Sequence, residues 1–106
     1  KIGIDLESHR EQMLKLKTRF LSEQELHALG EKPVPEQISP YWCAKEAIIK
    51  AVDQPELDLR KEIRIAPVIH EKRSTGKGRL RANGTQGSLD LYFWQEKDFC
   101  LCLCQA

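Results

Sequence analysis

The sequence lacks several features that would restrict its function. It has no apolar run approaching the roughly 20 residues that a membrane-spanning helix needs, and no signal-peptide pattern. Its formal net charge is only +1, which provides no global field for nucleic acid or an anionic membrane. We therefore expect neither nucleic acid nor membrane as a partner.

The cysteines lack the spacing of a zinc site or an easy disulfide. Cys43 stands alone, whereas Cys100, Cys102 and Cys104 alternate with leucines. On a strand this alternation places three thiols on one face, with side chains too parallel to pair readily. No C-x-x-C pair is present. We expect buried, reduced thiols and a cytoplasmic location.

The composition is that of an ordinary folded protein. The 106 residues are 41% hydrophobic and 31% charged, which is typical of a single globular domain. We therefore treat residues 1–106 as one domain.

The N-terminal part predicts a strand followed by two helices. Apolar and polar residues alternate over residues 2–7, which indicates a strand with one apolar and one polar face. Ser8–Glu11 and Ser22–Glu25 both match the S-x-x-E capping box that begins a helix. Gly30 supplies a stop for the second helix.

A third helix is predicted after a proline-containing loop at residues 31–38. Ser39-Pro40 is a favourable N-cap and first-turn pair for a helix over residues 40–52. Glu46 and Lys50 lie one turn apart, on the side of this helix opposite its apolar stripe. The stripe consists of Ala44, Ala47, Ile48, Ala51 and Val52.

The second half of the chain predicts strands. Residues 63–65 alternate, residues 78–82 indicate another strand, and Asn83-Gly84 indicates a turn. Leu89–Trp94 and Phe99–Cys104 predict a hairpin. The predicted order is β-α-α-β-β-β, an α+β fold with helices packed on one face of a largely antiparallel sheet.

Two acids on the first strand suggest a metal site. Asp5 and Glu7 project from one face about 7 Å apart, where their charges repel unless a cation lies between them. Mg²⁺ suits such oxygen ligands together with phosphates. Glu46 would complete a set of three acids, and Lys45 and Lys50 would add positive charge for phosphate oxygens.

Each of these features also has a purely structural interpretation. A D-x-E pair is common on solvated strands. Glu46 and Lys50 form an ordinary i,i+4 pair, worth about 0.2–0.5 kcal/mol. The order and spacing of the whole set, rather than any single residue, favour a functional site.

Three segments together resemble the phosphopantetheinyl transferase superfamily. They are "IGIDLE", "RFLSEQEL" and "WCAKEAIIK", which occur in this order within residues 2–50. They match a G-[IV]-D element, an R-F-[LF]-[ST]-x-x-E segment and a [FW]-x-x-K-E-[AS]-x-x-K helix. The D-L-E spacing is similar to that of the surfactin-synthetase-activating type, whereas holo-acyl-carrier-protein synthases usually space these acids one residue further apart.

The resemblance implies a transferase that moves the phosphopantetheine arm of coenzyme A to a serine of an acyl or peptidyl carrier protein. Asp5, Glu7 and Glu46 would hold Mg²⁺ against the diphosphate of coenzyme A. Lys50 would contact a phosphate, and Lys45 would contribute more weakly. Glu46, or a water on the metal, would take the proton of the serine. Lipid biosynthesis is one setting of this holo-carrier-protein synthase chemistry.

The resemblance covers only the second, metal-binding half of the surfactin type. It implies a phosphopantetheinyl-transferase-like half-domain that forms a homo-oligomer or pairs with a partner half-domain. The alternative is a non-catalytic half-domain that only binds coenzyme A or a carrier protein. A small nucleic-acid-binding domain is disfavoured, because no RNP-type pattern occurs.

Two further segments have alternative interpretations. Residues 72–79 are basic and contain glycine, but they lack the P-loop arrangement, so we expect a mobile hairpin loop. Under the resemblance, that loop could instead meet an acidic carrier protein or the nucleotide of coenzyme A. Phe20 and Leu21 are either core residues or contacts for a carrier protein.

Overall fold

The computed structural model describes residues 1–82 and 85–106. Within these residues, three helices pack on one face of a five-stranded sheet with the order β1-β5-β4-β3-β2. Every neighbouring pair of strands is antiparallel. The elements are β1 (Ile2–Ser8), α1 (Gln12–Phe20), α2 (Glu23–Leu29), α3 (Pro35–Val52), β2 (Ile63–Ile65), β3 (Arg73–Ala82), β4 (Thr85–Gln95) and β5 (Phe99–Gln105).

The predicted α+β class and the packing of helices on an antiparallel sheet are confirmed. The described residues contain one helix and one strand more than the predicted order β-α-α-β-β-β. The predicted Asn83-Gly84 turn lies outside the described residues. None of the described helices is long and apolar enough to cross a membrane.

Helix α3 forms the centre of the core. Its predicted stripe is confirmed at Ala44, Ala47 and Ile48, which have no exposed surface. The stripe packs on the inner face of the sheet, where β5 contributes its cysteines. All four cysteines are free and buried, as predicted. Burial is the main cause that raises the pKa of Cys104 to about 11, so this thiol stays protonated at neutral pH.

Strand β1 lies so close to α3 that Gly3 has no room for a side chain. A Cβ atom there would overlap the backbone of Ala47 and Ala51. The polar face of β1 therefore lies under the helix. The apolar face points away from it, with Ile2, Ile4 and Leu6 exposed by 61%, 50% and 59%.

The first predicted capping box is wrong. Helix α1 begins only at Gln12, and its N-cap Glu11 makes no side-chain capping hydrogen bond. Ser8 instead continues β1 and lies opposite Phe99 of β5. The second box is confirmed: Ser22 Oγ accepts from Glu25 N at 3.2 Å, and Glu25 Oε1 accepts from Ser22 N at 2.8 Å.

Helix α3 begins earlier than predicted. It begins at Pro35, so the predicted loop at 31–38 is wrong from residue 35 onward. Proline at the first helical position loses no intrahelical hydrogen bond. Pro40 lies inside the helix, where the preceding Ser39 Oγ donates to the Pro35 carbonyl at 2.8 Å.

The basic segment at residues 72–79 is not a loop. From Arg73 onward it belongs to β3, where Arg73 lies opposite Trp94 of β4. The Arg73 guanidinium lies 4.3 Å from the centre of the Trp94 ring. Pairing with the long strand β4 therefore overrides the two glycines that suggested a loop.

Candidate functional site

Asp5 is a buried carboxylate at the edge of the sheet. Its side chain is 8% exposed, and Lys50 of α3 donates to its Oδ1 at 2.8 Å. Lys50 also donates to the Ile4 carbonyl at 3.3 Å. Among the described residues, the buried Asp5 Oδ2 has no hydrogen-bond partner. This oxygen is available to a further cation or donor.

Glu7 lies on the same side of β1 as Asp5, as the strand period predicts. Burial raises the pKa of Glu7 from its ordinary 4.5 to about 7, and the neighbouring Asp5 carboxylate raises it further. Arg10 opposes this shift through a 3.3 Å ion pair with Glu7 Oε1. At neutral pH the Glu7 carboxyl is therefore partly protonated, and a divalent cation bound beside it would displace that proton.

Helix α3 brings Glu46 and Lys50 to the same region. Burial raises the pKa of Glu46, and the negative charge of Asp5 raises it further. The hydrogen bond to Asp5 is the main cause that raises the pKa of Lys50, which therefore stays protonated. The structure thus places two of the predicted helix residues in the electrostatic field of the predicted strand acid.

The donor chemistry fits a hard cation, although the acids are not gathered into a metal centre. Within residues 1–82 and 85–106, no three His, Cys, Asp or Glu side chains are grouped to hold an ion. The buried Asp5 Oδ2 has no partner among the described residues, and the pKa of Glu7 is raised by burial and by the neighbouring Asp5. Both observations nevertheless indicate a place for positive charge. Asp5, Glu7 and Glu46 would supply the carboxylate oxygens that Mg²⁺ prefers.

Lys45, in contrast, is completely enclosed. Its side chain is 0% exposed. Its ammonium group donates to Glu25 Oε1 at 2.7 Å, and to the carbonyls of Phe20 and Leu59 at 2.7 and 2.6 Å. Burial lowers the pKa of Lys45, while the charge of Glu25 acts in the opposite direction. In this arrangement the ammonium has no free position for a phosphate.

Glu25 has a role beyond the capping box that the sequence predicts. One of its oxygens accepts from Ser22 N and Lys45 Nζ, and the other accepts from Ile65 N at 2.8 Å. It therefore connects α2, α3 and β2. The available signal was its position at the end of the R-F-L-S-x-x-E segment, in the same motif set as Lys45.

The residues before α2 belong to the core. Phe20 is 2% exposed and Leu21 is fully buried. The Phe20 ring packs edge-on against Trp42 of α3, with ring centres 5.0 Å apart. This placement agrees with the core interpretation of the two residues and attaches α1 to the helix that carries Glu46.

Comparison with known families gives one finding. The family model described as the 4'-phosphopantetheinyl transferase superfamily matches residues 1–104, which is almost the whole chain. No curated protein matches the chain, and no solved structure does.

Proposed function

The chain belongs to the 4'-phosphopantetheinyl transferase superfamily, and from this premise we propose that it transfers the phosphopantetheine arm of coenzyme A to a serine of an acyl or peptidyl carrier protein. The observation that carries the proposal is the buried Asp5 carboxylate. One of its oxygens is held by Lys50 and the other has no partner in the described part of the chain. A buried carboxylate oxygen without a partner is costly and calls for a ligand.

We propose that Asp5, Glu7 and Glu46 hold Mg²⁺. When bound, the ion would neutralise charge on the diphosphate of coenzyme A and on its departing phosphate. Lys50 suits contact with a phosphate oxygen, because its side chain is 53% exposed and can turn away from Asp5. A cytoplasmic location agrees with the four free thiols.

In the proposed reaction Glu46 accepts the proton of the carrier serine. In the metal-free chain, burial and the charge of Asp5 raise the pKa of Glu46, which favours proton uptake by its carboxylate. The serine oxygen forms a bond to the phosphorus that bears the pantetheine arm. The bond from that phosphorus to adenosine bisphosphate breaks, and the bisphosphate leaves. The Lys50 ammonium stabilises the negative charge on the phosphate oxygens.

We assign Lys45 a positioning role instead of the direct phosphate contact expected from the sequence. Its three hydrogen bonds fix α3 against the segments that contain Phe20 and Leu59. Glu46 is the next residue along the helix. Holding this part of α3 in place sets the distance between Glu46 and the acids of β1.

The test is loading of a purified carrier protein by the Glu46→Gln variant, followed by mass spectrometry. We expect loss of transfer with an unchanged thermal midpoint, because the substitution removes the base and preserves the shape of the side chain. Glu36→Gln in the first turn of the same helix is the matched control and should load normally. Normal loading by Glu46→Gln would contradict the proposal.

A second candidate is a half-domain that only binds coenzyme A or a carrier protein. The exposed apolar side of β1 favours an additional subunit beside the site, either a second copy or a partner half-domain. Sedimentation with and without coenzyme A and Mg²⁺ separates the candidates. Coenzyme A binding by a strict monomer that loads no carrier protein would favour the binding-only function.

A further inference from the structure

A polar cleft lies where the end of β1 meets the turn between β4 and β5. It has a volume of about 870 Å³, which is within the range of pockets that take organic ligands. Its other walls are formed by residues 70–72, which precede β3, and by Glu36 in the first turn of α3. Among the described residues that line the cleft, none has a role in the proposed transfer reaction.

Backbone hydrogen bonds hold the walls of the cleft in place. His9 N donates to the Asp98 carbonyl at 3.0 Å, which attaches the end of β1 to the β4–β5 turn. Gln95 N donates to the Lys72 carbonyl at 2.7 Å, which attaches the end of β4 to the segment before β3. The cleft is therefore formed by the fold itself, and a ligand does not have to order these backbone segments.

Gln95 contributes a buried oxygen without a partner to the cleft. The residue is 8% exposed, and its Nε2 donates to the Ile69 carbonyl at 2.9 Å. The reverse orientation of the amide would bring two acceptor oxygens together, so this assignment of Nε2 and Oε1 is favoured. Among the described residues, Oε1 then has no hydrogen-bond partner. A buried oxygen in this state is costly, and a ligand that donates a hydrogen bond to it would remove the cost.

His9 supplies a second acceptor. Its Nε2 lies 3.0 Å from the Glu96 carbonyl, which can only accept a hydrogen bond, so Nε2 carries the hydrogen. In the uncharged ring Nδ1 is then an acceptor, and this buried atom also has no partner within residues 1–82 and 85–106. The two acceptors come from different strands that line one cleft. Together they indicate a ligand with several hydrogen-bond donors.

The carboxylates around the cleft outnumber its ammonium groups. Glu96 is paired with Lys72 at 3.4 Å. In the part of the chain that the structure describes, three further acids and one lysine line the cleft without an ion pair. They are Glu36, Glu71, Asp98 and Lys97. The excess of negative charge favours a positively charged ligand.

We propose that this cleft binds a guanidinium group. A guanidinium presents several N–H donors in one plane, whereas an ammonium is a compact and strongly hydrated point charge. The guanidinium therefore suits a site in which an amide oxygen, a ring nitrogen and carboxylates lie on different walls. The group belongs either to a free small molecule or to an arginine of a protein partner. The inference goes beyond the transfer reaction and does not depend on it.

Titration with Nα-acetyl-L-arginine amide, followed by two-dimensional ¹H–¹⁵N NMR, tests this proposal without coenzyme A or metal. We expect saturable shifts of the Gln95 side-chain amide and of the backbone at residues 70–72 and 96–98. The corresponding citrulline amide has an uncharged urea in place of the guanidinium. It should bind about tenfold more weakly, because its hydrogen bonds are not charge-assisted. The corresponding lysine amide should also bind more weakly than the arginine compound.

Two variants and one control locate the binding site. Gln95→Met removes the unpartnered oxygen at similar side-chain length and should bind about tenfold more weakly. Glu71→Gln/Asp98→Asn neutralises two exposed acids and retains Gln95, so it tests the cleft even if Gln95→Met does not fold. This double variant should bind about threefold more weakly. Glu31→Gln/Glu56→Gln removes the same charge outside the cleft and should bind like the unmodified chain.

The possible results separate the site from its ligand. Shifts that do not saturate, or equal binding by either cleft variant that folds, would overturn the site. Equal binding of the citrulline compound, or tighter binding of the lysine compound, would overturn the assignment to a guanidinium. A capped peptide with one arginine between alanines distinguishes the two sources. If it binds more than about tenfold more tightly than the amide, the group belongs to a protein partner; otherwise it belongs to a small molecule. Each result leaves the proposed transfer reaction standing, because the assay contains no transfer step.

Discussion

Replacing Lys45 by methionine tests how much the buried Lys45–Glu25 ion pair and the hydrogen bonds of Lys45 stabilise the position of α3. The change removes the cation that lies 2.7 Å from Glu25 Oε1 and leaves this carboxylate buried without its counter-charge. It also removes the donor for the Phe20 and Leu59 carbonyls. Removing one partner of a buried pair costs about 3–5 kcal/mol. A domain of this size has a free energy of unfolding of about 5–15 kcal/mol. We therefore expect Lys45→Met to remove between about a fifth and nearly all of the free energy of unfolding.

Urea unfolding followed by tryptophan fluorescence measures this loss, since Trp42 packs against Phe20 in the same region. Each kcal/mol of lost stability lowers the thermal midpoint of a small domain by about 4–8 °C. A loss of about 3 kcal/mol or more should therefore lower the midpoint by at least about 12 °C. Lys15→Met is the exposed control and should change the free energy of unfolding by less than about 0.5 kcal/mol. A loss below about 1 kcal/mol for Lys45→Met would show that the pair does not fix α3.

Three other perturbations test separate parts of the account. Gly3→Ala should lower the free energy of unfolding by about 3 kcal/mol or more and weaken coenzyme A binding, because the added Cβ atom overlaps the backbone of α3. Gly87→Ala is the control in the same urea assay, since a Cβ atom there meets nothing within 4 Å. Without metal, the raised pKa of Glu7 means that the folded state binds its proton more tightly than the unfolded chain, so stability should fall as pH rises from 4.5 to about 7. Glu7→Gln should remove this slope in thermal melts at a series of pH values, and an unaltered slope would contradict the assignment. Ile4→Lys on the exposed face should abolish any self-association seen by sedimentation without lowering the thermal midpoint of the monomer.

Short sequence patterns correctly predicted those ends of helices that depend only on residues a few positions away in the sequence. The Ser22–Glu25 box and the Gly30 stop are contacts within a few positions, and the structure contains both. Ser8–Glu11 has the same letters but fails, because Ser8 pairs with Phe99 far along the chain. No local pattern contains that information.

In the candidate site too, local patterns predict some features, whereas contacts between distant residues determine others. The strand period alone places Asp5 and Glu7 on one side of β1. The approach of Lys50 to Asp5 depends on tertiary packing between positions 45 residues apart. The enclosure of Lys45 also could not be predicted, since a lysine beside a motif glutamate suggests a phosphate contact until its buried partner Glu25 is seen.

The most direct test of the central claim is a calorimetric titration of coenzyme A into the chain with Mg²⁺ and with a chelator. If Asp5 and its neighbours hold the ion against the diphosphate, binding should require Mg²⁺ and should be lost in Asp5→Asn, while the far-ultraviolet circular dichroism stays unchanged. Coenzyme A binding of equal strength in the chelator, or full Mg²⁺-dependent binding by Asp5→Asn, would contradict the claim.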